Sequence, residues 1–341
     1  MTLAELWYPA AGESQGWSQR LLGWLLLPIS VLFRLLSYCR RLCYRLGWLS
    51  QWRSPVPVIV IGNITVGGTG KTPLTIAVAE WLRAEGWRPG IVSRGYGGSK
   101  VSQPLMVDTT SDPRQVGDEP LLIARRLQLP VCVHRRRALA IQCLLKLHPD
   151  CDIIICDDGL QHYALARDLE FAVVDAARGH GNGRLLPAGP LREPVSRLTS
   201  VDLVVWNGTA KAASGDEPQD YYHGVANCLV RLDRQERRTL QSVDGQKCHA
   251  IAGIGNPDRF FKLLQNYGAD VTPHPFPDHY QYQSKDLEFS GQQPVLMTEK
   301  DAVKCESLDL DVSRFWFVEL QAELSPSTLQ KIESRVETLR G

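Results

Sequence analysis

The chain has 341 residues, 44% of them hydrophobic and 22% charged, with a formal net charge of +1. That length allows two ordinary domains and a large buried core, while the near-balanced charge excludes a global basic field for nucleic acid and leaves any anion recognition local. The nine cysteines form no C-x-x-C pair and several sit in apolar runs, which argues against a disulfide framework or a zinc centre and for a reducing cytosolic environment.

Residues 1–54 read as an N-terminal segment of their own. Within it "LLGWLLLPISVLF", residues 21–33, lies uncharged between Arg20 and Arg34. Thirteen helical residues reach about 20 Å, short of the roughly 20 residues that a bilayer core requires, although Leu35 and Leu36 prolong the apolar character. Arg34, Arg41 and Arg45 fall on one side of a helix, with aromatic residues from Trp24 to Trp52 interleaved. This pattern predicts a helix lying in a membrane interface; the alternative is a helix packed on the protein's own core. No small-residue cleavage site follows, so a removed signal peptide is not expected.

Pro55 and Pro57 close that segment, and Val58–Ile61 is a short apolar strand. "TPLTIAVAEWLRAEG" follows with helical spacing, and Gly86 stops it. "RPGIVSRGYGG" is a strand running into a glycine-rich loop, "GDEPLLIARRL" a helix with acidic residues in its first turn, "PVCVH" a strand and "RRRALAIQCLLKLHP" a helix. "CDIIICDDG" and "LEFAVVDA" are buried strands, and "VDLVVWN" is another after a Pro/Gly-rich loop at 178–197. Apolar strands alternating with helices predict a mostly parallel, doubly wound α/β sheet with helices on both faces. A polar stretch at 208–220 sets a boundary, giving a core at 55–221 and a smaller α/β domain at 222–341. The latter contains "YYHGVANCLVRLD" as extended chain, "CHAIAGIGNPDRFFKLLQNYG" as strand, glycine turn and helix, "PVLMTEKDAVK" as strand and helix start, and "RFWFVEL" as a strand. No internal repeat is visible.

"NITVGGTGKTP", residues 63–73, ends as a phosphate-binding P-loop ends. The strand before it and the helix after it are in place, and Gly67, Gly68, Thr69 and Gly70 supply backbone N–H groups. Lys71 would reach the β/γ-phosphates and Thr72 would ligate Mg²⁺. Thr65 stands where the pattern has glycine. The second half of such a site is an acid closing a neighbouring apolar strand, and Asp157 and Asp158 in "IIICDDG" supply it; the competing reading is an Asp-Gly turn. "TEKD" at 298–301 places its lysine one position late for guanine recognition, and Val66 stands where membrane-switch ATPases carry a lysine. Both mismatches favour an ATP-dependent phosphotransferase.

"NITVGGTGKTP", "SRGYGG", "GDEP", "DDGLQHYALARD", "GNGRLLPAGPLRE", "FPDHY" and "LMTEKDAVK" occur in this order. Together, over residues 55–305, they closely resemble the tetraacyldisaccharide 4′-kinase family of lipid A synthesis, which shares the Thr65 departure. The resemblance implies a P-loop NTPase-type fold and transfer of the ATP γ-phosphoryl to the 4′-hydroxyl of a tetraacyldisaccharide 1-phosphate, forming lipid IVA. It implies Lys71 and Arg192 as catalytic phosphate-binding residues, Asp118 as base and His279 as its partner. It also implies Thr72, Asp157, Asp158 and Glu193 at Mg²⁺, and Arg94, Tyr96 and Arg137 at substrate phosphate, with Arg135 and Arg136 as neighbouring alternatives to Arg137. A monomer on the cytoplasmic face of the inner membrane, peripheral or held by a single N-terminal anchor, contacting membrane and lipid but no nucleic acid, is expected. The competing functions are a membrane-peripheral P-loop ATPase switch with no phosphorylated lipid, and a lipid-binding scaffold with a vestigial nucleotide site.

Overall fold

The computed structural model describes residues 3–8, 16–95, 98, 102–208, 219–278 and 280–340. After a short α1 (Leu3–Trp7), α2 (Trp17–Arg45) runs for 29 residues with Pro28 inside it. It docks on the protein along one stripe, at Gly23, Leu26, Leu27, Ser30, Phe33, Ser37, Arg41 and Tyr44, a spacing of three and four that keeps one helical face inward. Ser30 is the polar pin: its hydroxyl donates to the Leu185 carbonyl at 2.9 Å and accepts from the Ala188 amide at 3.0 Å. The outward face carries Trp24, Leu25, Ile29, Leu32, Leu35 and Leu36, each more than half exposed. From Leu21 to Arg45 the helix is long and apolar enough to cross a membrane, and only 11% of that window is buried.

The core then comprises, in chain order, β1 (Val58–Gly62), α3 (Lys71–Ala84), β2 (Pro89–Ser93), β3 (Leu105–Val107), α4 (Pro113–Val116), α5 (Asp118–Leu127), β4 (Val131–Val133), α6 (Arg137–Leu147), β5 (Ile153–Asp157), β6 (Leu169–Asp175) and β7 (Leu203–Asn207), with no α-helix among the described residues between β5, β6 and β7. β1 lies between β5 and β6 in parallel register, Val58 opposite Ile154 and Ile59 opposite Leu169. Its alternate side chains enter two cores. Ile59 and Ile61 pack with Leu74, Leu82 and Leu121 of α3 and α5; Val58 and Val60 pack with Ala140, Ile141 and Leu144 of α6, and Phe33 of α2 lies against that layer. Burial on both faces explains why these strands are continuously apolar.

The remaining elements are β8 (Tyr221–Arg231), β9 (Arg237–Thr239), β10 (Lys247–Ala252), α7 (Pro257–Asn266), β11 (Asp270–Pro275), β12 (Val295–Thr298), α8 (Glu299–Cys305), β13 (Phe315–Leu324) and α9 (Pro326–Glu337). The strands form one sheet in the order β11-β10-β12-β13-β8-β7-β6-β1-β5-β2-β4-β3, with β9 on β8. The pairings are parallel except β3–β4, β8–β9 and the long β8–β13 ladder. Among the described residues β7 meets β8 at Trp206↔Tyr221 and Asn207↔Tyr222, so the two units share a sheet through a narrow hydrogen-bonded seam. The chain end returns to the first unit, where Ala322 of β13 and Ile332 and Val336 of α9 join the core built on Leu74 and Leu82. α1, β3, α4, β9, β11 and α9 are additions to the elements read from the sequence.

Candidate active site

Gly70 opens α3 in the left-handed region with φ 90°, and a Cβ there would collide with Tyr222 Oη and Asn207 Nδ2. Those two groups donate to the Gly70 and Thr69 carbonyls respectively, the latter at 3.1 Å. They lie on β8 and β7, so the shared seam holds the end of the loop. Thr65 has no positive φ and costs no strain where the generic pattern has glycine. It instead accepts from Asn63 Nδ2 at 3.3 Å, which also donates to Thr69 Oγ1 at 2.9 Å. The Val66 amide donates to the Pro190 carbonyl at 2.9 Å, binding the loop to the segment that carries Arg192 and Glu193.

Lys71 is nearly buried, with Nζ 3.6 Å from Asp158 Oδ1. Asp158 sits at φ 47°, a left-handed position that turns its carboxylate back toward the loop, and also meets Arg192 at 3.3 Å. Burial works against its charge, but Lys71, Arg192 and Arg137 together hold the carboxyl below the ordinary carboxylate range. Asp157, one residue earlier, is fully buried at the end of β5. Thr75 Oγ1 donates to its Oδ1 at 3.1 Å, while Oδ2 is buried with no hydrogen-bond partner among the described residues. Burial, with Glu119 and Asp158 nearby, pushes this carboxyl up to about 7.

That orphaned oxygen is the feature that fits a cation. No group of three or more His, Cys, Asp or Glu side chains among the described residues could hold a metal alone. Mg²⁺ does not require one, because it is commonly bound by one or two carboxylates together with substrate phosphates. Glu193 is buried, and its carboxylate accepts from Tyr163 Oη and, at 3.1 Å, from Gln161 Nε2. Gln161 also donates to the Asn63 carbonyl at 2.8 Å. Glu193 is therefore joined to the nucleotide loop through Gln161, by two hydrogen bonds.

Asp118 begins α5, almost fully buried, with Oδ1 accepting from the Glu119 amide at 3.0 Å. Lys300, from the second unit, approaches its Oδ2 to 3.8 Å. His279 and Tyr96, expected as the base's partner and a phosphate contact, lie outside the described residues. The second unit also reaches the loop elsewhere. Arg259 donates to Asn207 at 3.2 Å, and Arg178 donates to the Gly255 carbonyl beside Gly68.

A cleft of about 670 Å³ adjoins Asp158 and is lined by Arg40, Arg94, Arg135, Arg136, Arg137 and Arg192, with His134, Gln161 and His162. Arg94 is exposed into it at the end of β2. Arg137 is 2% exposed, and its guanidinium donates to the carbonyls of His134, Asp157 and Asp158 at 3.2, 3.3 and 3.3 Å. It brings positive charge to the cleft while its terminal nitrogens bind backbone. Burial, with Arg137, Arg167, Arg40 and Arg94 around it, lowers His162 to about 4, so its imidazole is neutral at pH 7. Arg40 belongs to α2, so one cleft connects the acidic end of β5 to the apolar helix. Sequence reasoning missed Thr75, Glu119, Asn207, Tyr222 and Lys300. Gln161 and Tyr163 lay inside a quoted motif, but only the fold brings them to Glu193.

The model of the family described as tetraacyldisaccharide-1-P 4′-kinase matches residues 22–337. A tetraacyldisaccharide 4′-kinase of Methylobacillus flagellatus is 48% identical over 319 residues, covering 93% of each chain. One from Nitrosococcus oceani is 50% identical over 307 residues, covering 89% of this chain and 88% of its own. Among solved structures, LpxK from Aquifex aeolicus in complex with ATP superposes with a TM-score of 0.76 at 28% identity, covering 93% of this chain and 99% of that one.

Proposed function

The chain belongs to the tetraacyldisaccharide-1-P 4′-kinase family, and from that premise we infer that it is an ATP-dependent kinase. It moves the γ-phosphoryl group of ATP onto the 4′-hydroxyl of a tetraacyldisaccharide 1-phosphate, giving lipid IVA in lipid A synthesis. The observation that carries this reading is the arginine-lined cleft running from Asp158 to Arg40 on an apolar, outward-facing helix. A phosphorylated sugar on acyl chains needs such a path between nucleotide and lipid surface; a simple ATPase switch does not.

The roles are those that the family resemblance implies, and charge and position support them where the residues are described. The amides of Gly67–Thr72 cradle the nucleotide phosphates and Lys71 neutralises developing charge on them. Mg²⁺ would be held by Thr72, Asp157 and Asp158, with Glu193 behind them through Gln161; bound there, it neutralises phosphate charge and aligns the transferred group. Arg192, already at Asp158, faces the same region. Asp118 accepts the proton of the 4′-hydroxyl, and His279 orients that carboxylate. Arg94 and Tyr96 meet substrate phosphate, and the planar fork of arginine matches phosphate oxygens. Arg137 adds charge and braces the Asp157–Asp158 turn. α2 lies in the membrane surface on the cytoplasmic side, apolar face down; its docking along the inner stripe supports an interfacial position over a spanning one.

The test is phosphoryl transfer from γ-labelled ATP to tetraacyldisaccharide 1-phosphate in mixed micelles. Label in the lipid, lost in Lys71→Ala and Asp118→Ala, is the expected result. Label found only in free phosphate would overturn the kinase reading in favour of an ATPase.

A further inference from the structure

"TEKD", residues 298–301, belongs neither to the nucleotide loop nor to the basic cleft, yet each of its side chains ties into a wall of the site. Thr298 caps α8, accepting from the Asp301 amide at 3.2 Å. Asp301 is fully buried and accepts from the Gly253 amide at 3.0 Å, Tyr282 Oη at 3.1 Å and Thr298 Oγ1 at 2.6 Å, with Lys304 at 2.7 Å. It thereby fixes the glycine turn that approaches the nucleotide loop. Glu299 pairs with Arg126 of α5 at 3.1 Å. Lys300 reaches furthest across: its Nζ lies 3.8 Å from Asp118 Oδ2, 3.3 Å from Glu119 Oε1 and 3.4 Å from Asp278 Oδ1.

This placement opposes the local backbone. A lysine in the first turn of a helix meets the positive end of the helix dipole, so nothing in α8 itself favours it there. The three carboxylates do. They come from two elements, the start of α5 in the first unit and the loop before β12 in the second. Lys300 offsets the repulsion of Asp118 and Glu119 against Asp278 between the two units. The side chain of Lys300 is 17% exposed, so that attraction is only partly screened by water. Burial works against its charge, but Glu119, Asp118 and Asp278 outweigh it and hold the ammonium above the ordinary lysine value.

We propose that Lys300 is a positioning residue for phosphoryl transfer: it anchors the Asp118 carboxylate to the second unit and sets the spacing between α5 and the loop that carries Asp278. The proposal rests on the reading of Asp118 as base. Lys300 acts on geometry rather than on nucleotide affinity, because it contacts the start of α5 and the loop carrying Asp278 and not the P-loop.

The test uses the full chain in detergent with the labelled-transfer assay, ATP affinity by calorimetry, and the variants Lys300→Ala, Lys300→Met, Lys300→Arg, Asp118→Ala and Lys300→Ala/Asp118→Ala. Misplacing a reacting group costs about 100-fold. We expect kcat to fall about 100-fold in Lys300→Ala and Lys300→Met, with the Kd for ATP changed less than about threefold, and Lys300→Arg to recover much of the loss. The double variant should be no slower than Asp118→Ala, since a residue acting through another adds nothing once that other is gone. Wild-type turnover in Lys300→Ala and Lys300→Met would overturn the proposal, as would losses that multiply in the double variant, because Lys300 would then act on the reacting phosphate itself. Full turnover in Asp118→Ala would instead sink the base assignment, a result readable independently of the lysine variants.

Discussion

Replacing Arg137 separates two uses of a buried guanidinium. Its terminal nitrogens donate to three backbone carbonyls, those of His134, Asp157 and Asp158. Arg137→Met keeps most of the stem and removes the donors. Each carbonyl left without a donor in the interior costs about 1–3 kcal/mol, and bonds of this length belong at the low end. Three such losses sum to about 3 kcal/mol. At about 2–4 °C per kcal/mol for a domain of a couple of hundred residues, the melting temperature should fall by roughly 6 °C or more. Turnover should fall with it, because the Asp157–Asp158 turn loses its brace. Scanning calorimetry and lipid-substrate kinetics on the same preparation read both effects. An unchanged melting temperature with only a raised KM for the lipid would refute the bracing argument and make Arg137 a direct phosphate contact.

Gly70→Ala should abolish ATP binding, since φ 90° and the collision with Tyr222 and Asn207 leave no room for a methyl group; calorimetric titration with ATP checks this, whereas Gly68→Ala, whose Cβ meets nothing nearby, should bind ATP more nearly normally. Leu32→Glu with Leu36→Glu, both on the outward face of α2, should lower binding to anionic vesicles at least tenfold in a flotation assay and leave the melting temperature within about 1 °C, because neither side chain packs on the protein. His162 is held at about 4 in the folded state against about 6.5 unfolded. The unfolded chain therefore binds the extra proton, so stability rises with pH across that window and is lost as pH falls through it. Because the ring is partly exposed, the effect is about 1–2 kcal/mol, and His162→Gln should flatten the acid limb of a denaturation series by that amount.

The parallel core is legible because β1 and β5 are buried on both faces, so their sequences are unbroken apolar runs. β11, "DVTPHP", is an exposed edge strand with two prolines, a composition that edge strands tolerate and that reads as loop. α9 buries only Thr328, Ile332 and Val336, one residue per turn, too sparse a stripe to stand out among polar neighbours. In the site, local motifs point to Lys71, Thr72, Asp157 and Asp158 through chemistry confined to a few adjacent positions. Asp118 and Arg94 are visible only through the resemblance. Arg137 could not be told from Arg135 and Arg136 because burial alone distinguishes it. Lys300 sits in a motif that resembles a misregistered guanine-binding element, and its meaning is entirely one of distance to α5.

The return of the chain end to the first unit bears on how the molecule is made. Leu74 and Leu82 of α3, the helix that carries Lys71, are covered in part by Ala322, Ile332 and Val336. On a ribosome adding about 5–20 residues per second, the segment after Asn207 takes roughly 7–27 s to emerge. During that interval the nucleotide-binding unit has an uncovered apolar flank, and until residue 222 emerges it also lacks the Tyr222 hydroxyl that holds Gly70, while α2 has already left the exit tunnel with its leucines exposed. Early attachment of α2 to the membrane would shelter one apolar surface, but the flank of α3 would still await the last residues. A chain cut short of residue 322 would therefore lose more than its second unit: its P-loop helix would be left without part of its core, and such fragments should enter aggregates or be degraded rather than persist as a smaller nucleotide-binding protein.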